Sequence, residues 1–284
     1  MKLRPVASAA EKPAGSEADA MDLVVVSESV SSGAVADAFK DVTKPVLMLE
    51  AFIADDMLVA VPGTAANQTQ VDILNPDHPL AAGLSGAVDI YKAAKILSTF
   101  TSTSTDAIKV ASAVGQPDTG ALVAFLKGAK MESDFVAPGR RVCLGLHSAV
   151  PEEYTSQARA LFRAAVSWSL SPEKSVLFVH APSGGAPSAT DQALIDELSR
   201  GLGHKVKLRP VASAAEKPAG SEADAIDLVV VSESVSSGAV TDAFKDVTKP
   251  VLMLEAFIAD DMLVAAPGTV ATQTQVDILN PDHP

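Results

Sequence analysis

Short apolar runs alternate with amphipathic stretches along much of the chain, and this alternation carries the first structural information. Residues 175–181 form a continuous apolar run bounded by polar positions, which predicts a buried strand, and 182–187, with Gly184 and Gly185, predict a loop. Ser188 or Thr190 is placed to cap the helix that follows. Its Leu194, Ile195, Leu198 and Leu202 fall on one face, and Gly203 stands where a helix C-cap is expected. Further strands are predicted at 205–209, 227–232 and 250–255, with a short helix around 240–247 between the last two. Continuous apolar strands separated by helices indicate a parallel sheet covered on both faces.

Between these regions lies a stretch of different texture, residues 80–173. Strands are predicted at 88–91, 108–111, 121–125 and 141–146, and a closing helix over 155–170 buries Leu161, Ala165 and Trp168, with Phe162 and Val166 at its flanks. The turn signals at Gly115, Pro117, Pro138 and Gly139 point to antiparallel hairpins attached to the parallel core. The fold class expected is α/β: a flavodoxin-like, doubly wound, mainly parallel sheet with added antiparallel hairpins.

The strands at 22–27 and 46–50 repeat those at 227–232 and 251–255, and the repetition is general. Residues 2–79 recur at 207–284, an offset of 205, with only five differences: Met21/Ile226, Ala36/Thr241, Val61/Ala266, Ala65/Val270 and Asn67/Thr272. A period of that length matches one whole α/β domain. The repeating unit starts most naturally near Lys174, after the helix and the linker that contains Pro172. Residues 2–173 then read as one repeat without its first strand and helix, and 174–284 as the first half of the next. An alternative division makes 80–284 one complete, circularly permuted domain with 2–79 as an extra half. Sequential contact is the default between connected elements, which favours packing of 80–173 on 2–79.

Composition narrows the function. The chain of 284 residues is 48% hydrophobic and carries a formal net charge of −13, with a pI near 4.7, so it repels nucleic-acid phosphates and anionic lipid surfaces. Neither nucleic acid nor membrane insertion is expected. The longest apolar runs are strand-sized, well short of the roughly 20 residues that span a bilayer. Met1 is followed at once by Lys2-Leu-Arg-Pro5, text that lies in mid-domain at 207–210, so a parent's signal peptide is not read here. Cys143 is the single cysteine, which forbids an intramolecular disulfide.

Read from Lys174, the runs Val176 to His180, Asp227 to Ser237, Leu254 to Asp261 and Asn75 to Leu84 resemble a family of bacterial domains related to the trehalose-utilisation ThuA proteins. The resemblance spans the whole 205-residue unit, and its most specific parts are Val235-Ser-Ser-Gly238 and the Asp77-His-Pro79 turn. It implies a fold like that of class I glutamine amidotransferases and a place in large secreted or surface bacterial proteins, hence an extracellular location. Amidotransferase chemistry needs a cysteine on a tight strand-to-helix turn, with a histidine nearby. After the strand that ends at Glu50 the chain instead reads Ala51-Phe-Ile-Ala-Asp-Asp56, and Cys143 lies within an apolar strand as a core thiol.

A weaker constellation stands at the expected carboxyl ends of the strands: His147, His180, Glu233 and Glu255. Two histidines and two carboxylates suit a divalent ion in type, but no HxH or HxxxH spacing accompanies them. The bland reading makes them loop-edge groups bonded to backbone, so no metal and no cofactor is expected. The run from Glu50 to Asp56 lacks the spacing of a calcium loop, His78 sits in a rigid turn between prolines, and Gly184-Gly185 has no phosphate-binding pattern around it. The function expected is non-catalytic: tandem domains that build an extracellular or surface filament or stalk, completing half-domains between neighbours, with copies of the chain as partners. The alternative is a ThuA-like enzyme or a carbohydrate- or metal-binding module, against which the 4% aromatic content argues for sugar stacking.

Overall fold

A computed structural model describes residues 2–146 and 151–263. The chain divides into two compact units, Met1–Pro172 and Glu173–Pro284, and both are α/β.

The first unit contains β1 (Val24–Val26), α1 (Ser32–Val35), β2 (Val46–Met48), β3 (Val61–Gln68), β4 (Gln70–Ile73), β5 (Gly86–Asp89), β6 (Lys95–Thr101), β7 (Ile108–Ala113), β8 (Leu122–Phe125), β9 (Arg141–Leu144) and α2 (Ser156–Leu170). Seven strands form one sheet in the order β1-β2-β9-β8-β7-β4-β5, and β3 pairs with β6 in a separate antiparallel ribbon. β1, β2 and β9 run parallel, whereas every pairing from β9 through β5 is antiparallel. The sheet is therefore mixed, with the hairpin-rich half larger than a mainly parallel sheet allows.

The central strands β2, β8 and β9 are buried along their whole length, which explains their apolar sequence, broken only by Arg141. One face lies under α2, whose Leu161, Ala165 and Trp168 join Leu47, Val142 and Leu144. Thr155 caps this helix by accepting from the Ala158 N–H at 3.2 Å. On the other face Val46, Met48 and Cys143 pack with Val35, Phe39, Ile53, Met57 and Phe100, contributed by one-turn helices, turns and β6. Doubly wound helices are thus replaced on this face by irregular chain.

Arg141 anchors that irregular chain. Although it lies inside a core strand and is fully buried, its guanidinium donates to the carbonyls of Val42 (2.7 Å), Lys40 (3.0 Å), Lys44 (3.1 Å), Arg140 (3.1 Å) and Phe39 (3.4 Å). The rigid fork of donors suits a cluster of backbone acceptors, of which the Arg140 carbonyl also takes the Val46 N–H of β2.

The second unit contains β10 (Ser175–His180), α3 (Ala189–Asp196), β11 (Lys205–Pro210), β12 (Leu228–Val231), α4 (Ser237–Val240) and β13 (Val251–Met253). Its four strands are all parallel, in the order β11-β10-β12-β13. Ser188 caps α3, accepting from the Asp191 N–H at 3.1 Å. The helix runs on into a π-turn over Glu197–Gly201 and stops at Gly203, whose φ of 72° is the left-handed conformation that glycine adopts without strain. Ile195 packs on Val176, Phe178 and Val230.

The helix expected over 240–247 is not formed. α4 ends at Val240 because Thr241 takes a φ of 45°, which interrupts the i to i−4 ladder, and turns follow. Ala36 ends α1 with the same φ, so the recurring sequence reproduces its local backbone.

Candidate functional site

The strand order of the second unit places a topological switch point between β10 and β12, because the chain leaves β10 for β11 on one side and returns to β12 on the other. Clefts at the carboxyl ends of such strands are where open α/β sheets usually hold ligands. Here that position is filled by a polar cluster.

Asp191, only 1% exposed, is its centre. Ser188 donates its hydroxyl to the carboxylate at 2.9 Å, and the buried Ser232, at the end of β12, donates a second hydrogen bond. The Ser234 hydroxyl stands nearby and also favours the ionised carboxylate. Burial pushes the carboxyl pKa up, but the hydroxyls of Ser232, Ser188 and Ser234 and the Ser188 backbone outweigh it, so the pKa lies below the usual aspartate value. The serines are held in turn: Ser234 Oγ accepts from the Ala181 N–H at 3.1 Å, and Ser232 Oγ accepts from the Ser234 N–H at 3.1 Å. Asp191 therefore ties the start of α3 to the loops after β10 and β12. An ionised carboxylate with its acceptor sites taken up by hydroxyls is built to lock a loop.

The candidates read from sequence have different surroundings. His180 ends β10 at 3% exposure, and its Nδ1 lies 3.1 Å from the Ala181 carbonyl, so Nδ1 carries the proton and donates. Glu233 projects from the loop after β12 and is exposed. Glu255 follows β13 and caps a one-turn helix, accepting from the Phe257 N–H at 2.8 Å. Its counterpart Glu50 accepts from Phe52 at 2.9 Å. β12 stands between β10 and β13, so His180 and Glu255 are set about two strand spacings, roughly 10 Å, apart. His147 lies outside the described residues. No group of three or more His, Cys, Asp or Glu that could hold a metal ion occurs among the described residues.

Cys143 is fully buried in β9, and burial pushes its thiol well above the usual range, which keeps it a core group. His78 is nearly as buried. Its Nδ1 accepts from the Leu80 N–H at 3.1 Å, its ring lies 5.9 Å from that of Trp168, and burial lowers its pKa to about 4.

The Asp191 cluster escaped the sequence reading, although Ser188 and Asp191 carry its one local signal, the three-residue spacing of a capping box. The contributions of Ser232 and Ser234 depend on a long-range pairing that spacing does not encode. No helix among the described residues is long and apolar enough to cross a membrane. No protein-family model matches the chain, and no curated protein matches it.

Proposed function

We propose that the protein is a non-catalytic structural protein, in which flavodoxin-like domains of ThuA type recur with a 205-residue period and build an extracellular or surface filament or stalk. Neighbouring copies complete one another's half-domains. One observation carries this reading: the same sequence is covered in one unit and bare in the other. Leu47 of β2 is 0% exposed, while its counterpart Leu252 of β13 is 49% exposed; Val230 of β12 is 2% exposed, while its counterpart Val25 of β1 is 45% exposed.

The pattern follows from what each unit contains. Among the described residues, α2 and β9 cover β2 while no strand or helix stands beyond β13, and β10 and α3 cover β12 while none stands beyond β1. Edge strands with bare apolar side chains are templates for pairing with another chain. Two different edges on one molecule make a heterologous contact, and a heterologous contact that does not close gives a filament. The absence of a nucleophile at residues 51–56 and the commitment of Glu255 to a helix cap support the non-catalytic part.

Negative-stain electron microscopy across a concentration series tests the reading. Regular fibres or chains of particles are expected at high concentration. Single particles at every concentration would overturn it.

A further inference from the structure

We infer that β3 is the strand by which residues 80–173 select one copy of the recurring sequence, residues 2–79, over the other, residues 207–284. The selection operates within one chain, so it stands apart from the filament reading and is tested separately.

The two copies compete on nearly equal terms. Residues 2–79 meet residues 80–173 where β2 pairs with β9, β3 with β6, and β4 with both β5 and β7. In addition, the 39–44 loop receives the Arg141 guanidinium, and His78 lies against Trp168. The sequences of β2, β4, the 39–44 loop and His78 all recur unchanged in 207–284. Of the five differences between the copies, Met21/Ile226 and Ala36/Thr241 take no part in these pairings. The other three, Val61/Ala266, Ala65/Val270 and Asn67/Thr272, all fall within β3. Any preference between the copies therefore has to be read at β3.

Each of the three favours residues 2–79. Ala65 stands opposite Leu97 and is 2% exposed, in the core that also holds Val71, Tyr91 and Leu146. Valine at this position forces a branched side chain into packed interior, and overpacking is destabilising. Asn67 lies in the register shift between Ala65 and Gln68 with a φ of 39°. Asparagine enters this left-handed region more readily than other side chains, and a β-branched threonine resists it. Val61 pairs with Thr101, and alanine there gives up a β-branched cross-strand contact. The three effects act in one direction and together amount to roughly a hundredfold preference.

The ribbon of β3 and β6 is thus an identity check placed beside an interface that is otherwise the same for both copies. It opposes the exchange of segments that near-identity invites, because the wrong copy meets overpacking and backbone strain at β6.

Cys143 reads the choice. It is the only thiol, it pairs in register with Met48, and both side chains lie in one core; Met253 is the counterpart of Met48. M48C and M253C are each placed in the full chain in two backgrounds. One is natural, and the other carries the reciprocal exchange of the β3 residues, V61A/A65V/N67T together with A266V/V270A/T272N. Each protein is equilibrated with a reduced and oxidised glutathione couple, and the linked peptides are identified by mass spectrometry. In the natural background the M253C thiol is expected to bond Cys143 at most about one-hundredth as much as the M48C thiol does. The reciprocal exchange is expected to raise the M253C bond at least about tenfold and to lower the M48C bond. An M253C yield that is the same in both backgrounds, or that equals the M48C yield in the natural one, would overturn the inference. Urea titration followed by Trp168 fluorescence guards against a poorly folded exchange variant. V61A/A65V/N67T in an otherwise natural chain is expected to lower the folding constant of the first unit about a hundredfold, and a fall of less than about threefold would overturn the inference by itself. Fibres, or their absence, bear on the filament reading and leave either result as it stands.

Discussion

Replacement of Arg141 by methionine removes the clamp of the first unit while keeping an unbranched side chain in β9. The guanidinium serves five backbone carbonyls between 2.7 and 3.4 Å, and two of the loop residues concerned, Phe39 and Val42, are themselves buried. Burial lowers the Arg141 pKa to about 10, while nearby Asp41 raises it, so the group is still charged at neutral pH. Water can reach the carbonyls of Lys40 and Lys44 after the substitution, but those of Phe39 and Val42 would be stranded at about 1–3 kcal/mol each. With the lost packing, R141M is expected to destabilise the first unit by about 3–5 kcal/mol. For a unit of this size that lowers Tm by about 6–20 °C. The assay is clean because Trp168 and both tyrosines, Tyr91 and Tyr154, lie in the first unit, so intrinsic fluorescence reports that unit alone. Far-UV circular dichroism follows the second unit, whose transition is expected to stay where it was. A fluorescence transition displaced by less than about 1 kcal/mol would refute the claim that Arg141 holds the 39–44 loop.

Three further outcomes are expected. His78 has a folded pKa of about 4 against 6.5 unperturbed, so the unfolded chain takes up a proton first and the first unit loses stability as pH falls from about 6.5 to 4; H78Q should remove about 2 kcal/mol of that dependence in urea titrations at several pH values, and an unchanged slope would contradict burial as the cause. D191A should destabilise the second unit by about 2–3 kcal/mol, since the Ser188 and Ser232 hydroxyls lose their acceptor, with the difference from wild type present above pH 3.8 and shrinking as pH falls through the lowered folded pKa. E255A should lower second-unit stability by about 1 kcal/mol through loss of the Phe257 cap and leave calorimetric titrations with zinc or calcium unchanged; loss of a measurable binding isotherm would restore Glu255 as a ligand.

The parts of the fold that were legible in the sequence are those whose burial is complete or periodic. β10 and β12 announce themselves as apolar runs because a parallel strand buries both faces, and α2 because one face alone packs on the sheet. β3, β4 and β6 left no such mark. β3 contains Pro62 and Gly63, and it is a strand because β6 pairs along it, a long-range term that overrides local propensity. The stop at Thr241 was equally hidden, since a β-branched residue at positive φ goes against every local preference.

The polar anchors were hardest to read. Arg141 in the core and Asp191 at the switch point are recognisable only through partners about a hundred and about forty residues away, respectively. Candidates chosen for their chemistry at strand ends were, for Glu255, local capping groups, and for His180, a buried ring bonded to the next carbonyl.

The most direct measurement of the central claim is amide hydrogen exchange at Val251 as a function of protein concentration. Its counterpart Val46 donates to the Arg140 carbonyl beside β9, and among the described residues no strand stands beyond β13 to give Val251 that partner. Completion between copies requires fast exchange at Val251 in dilute solution and protection that grows with concentration. Fast exchange that is the same at every concentration would mean that β13 stays an open edge and that the copies do not complete one another there.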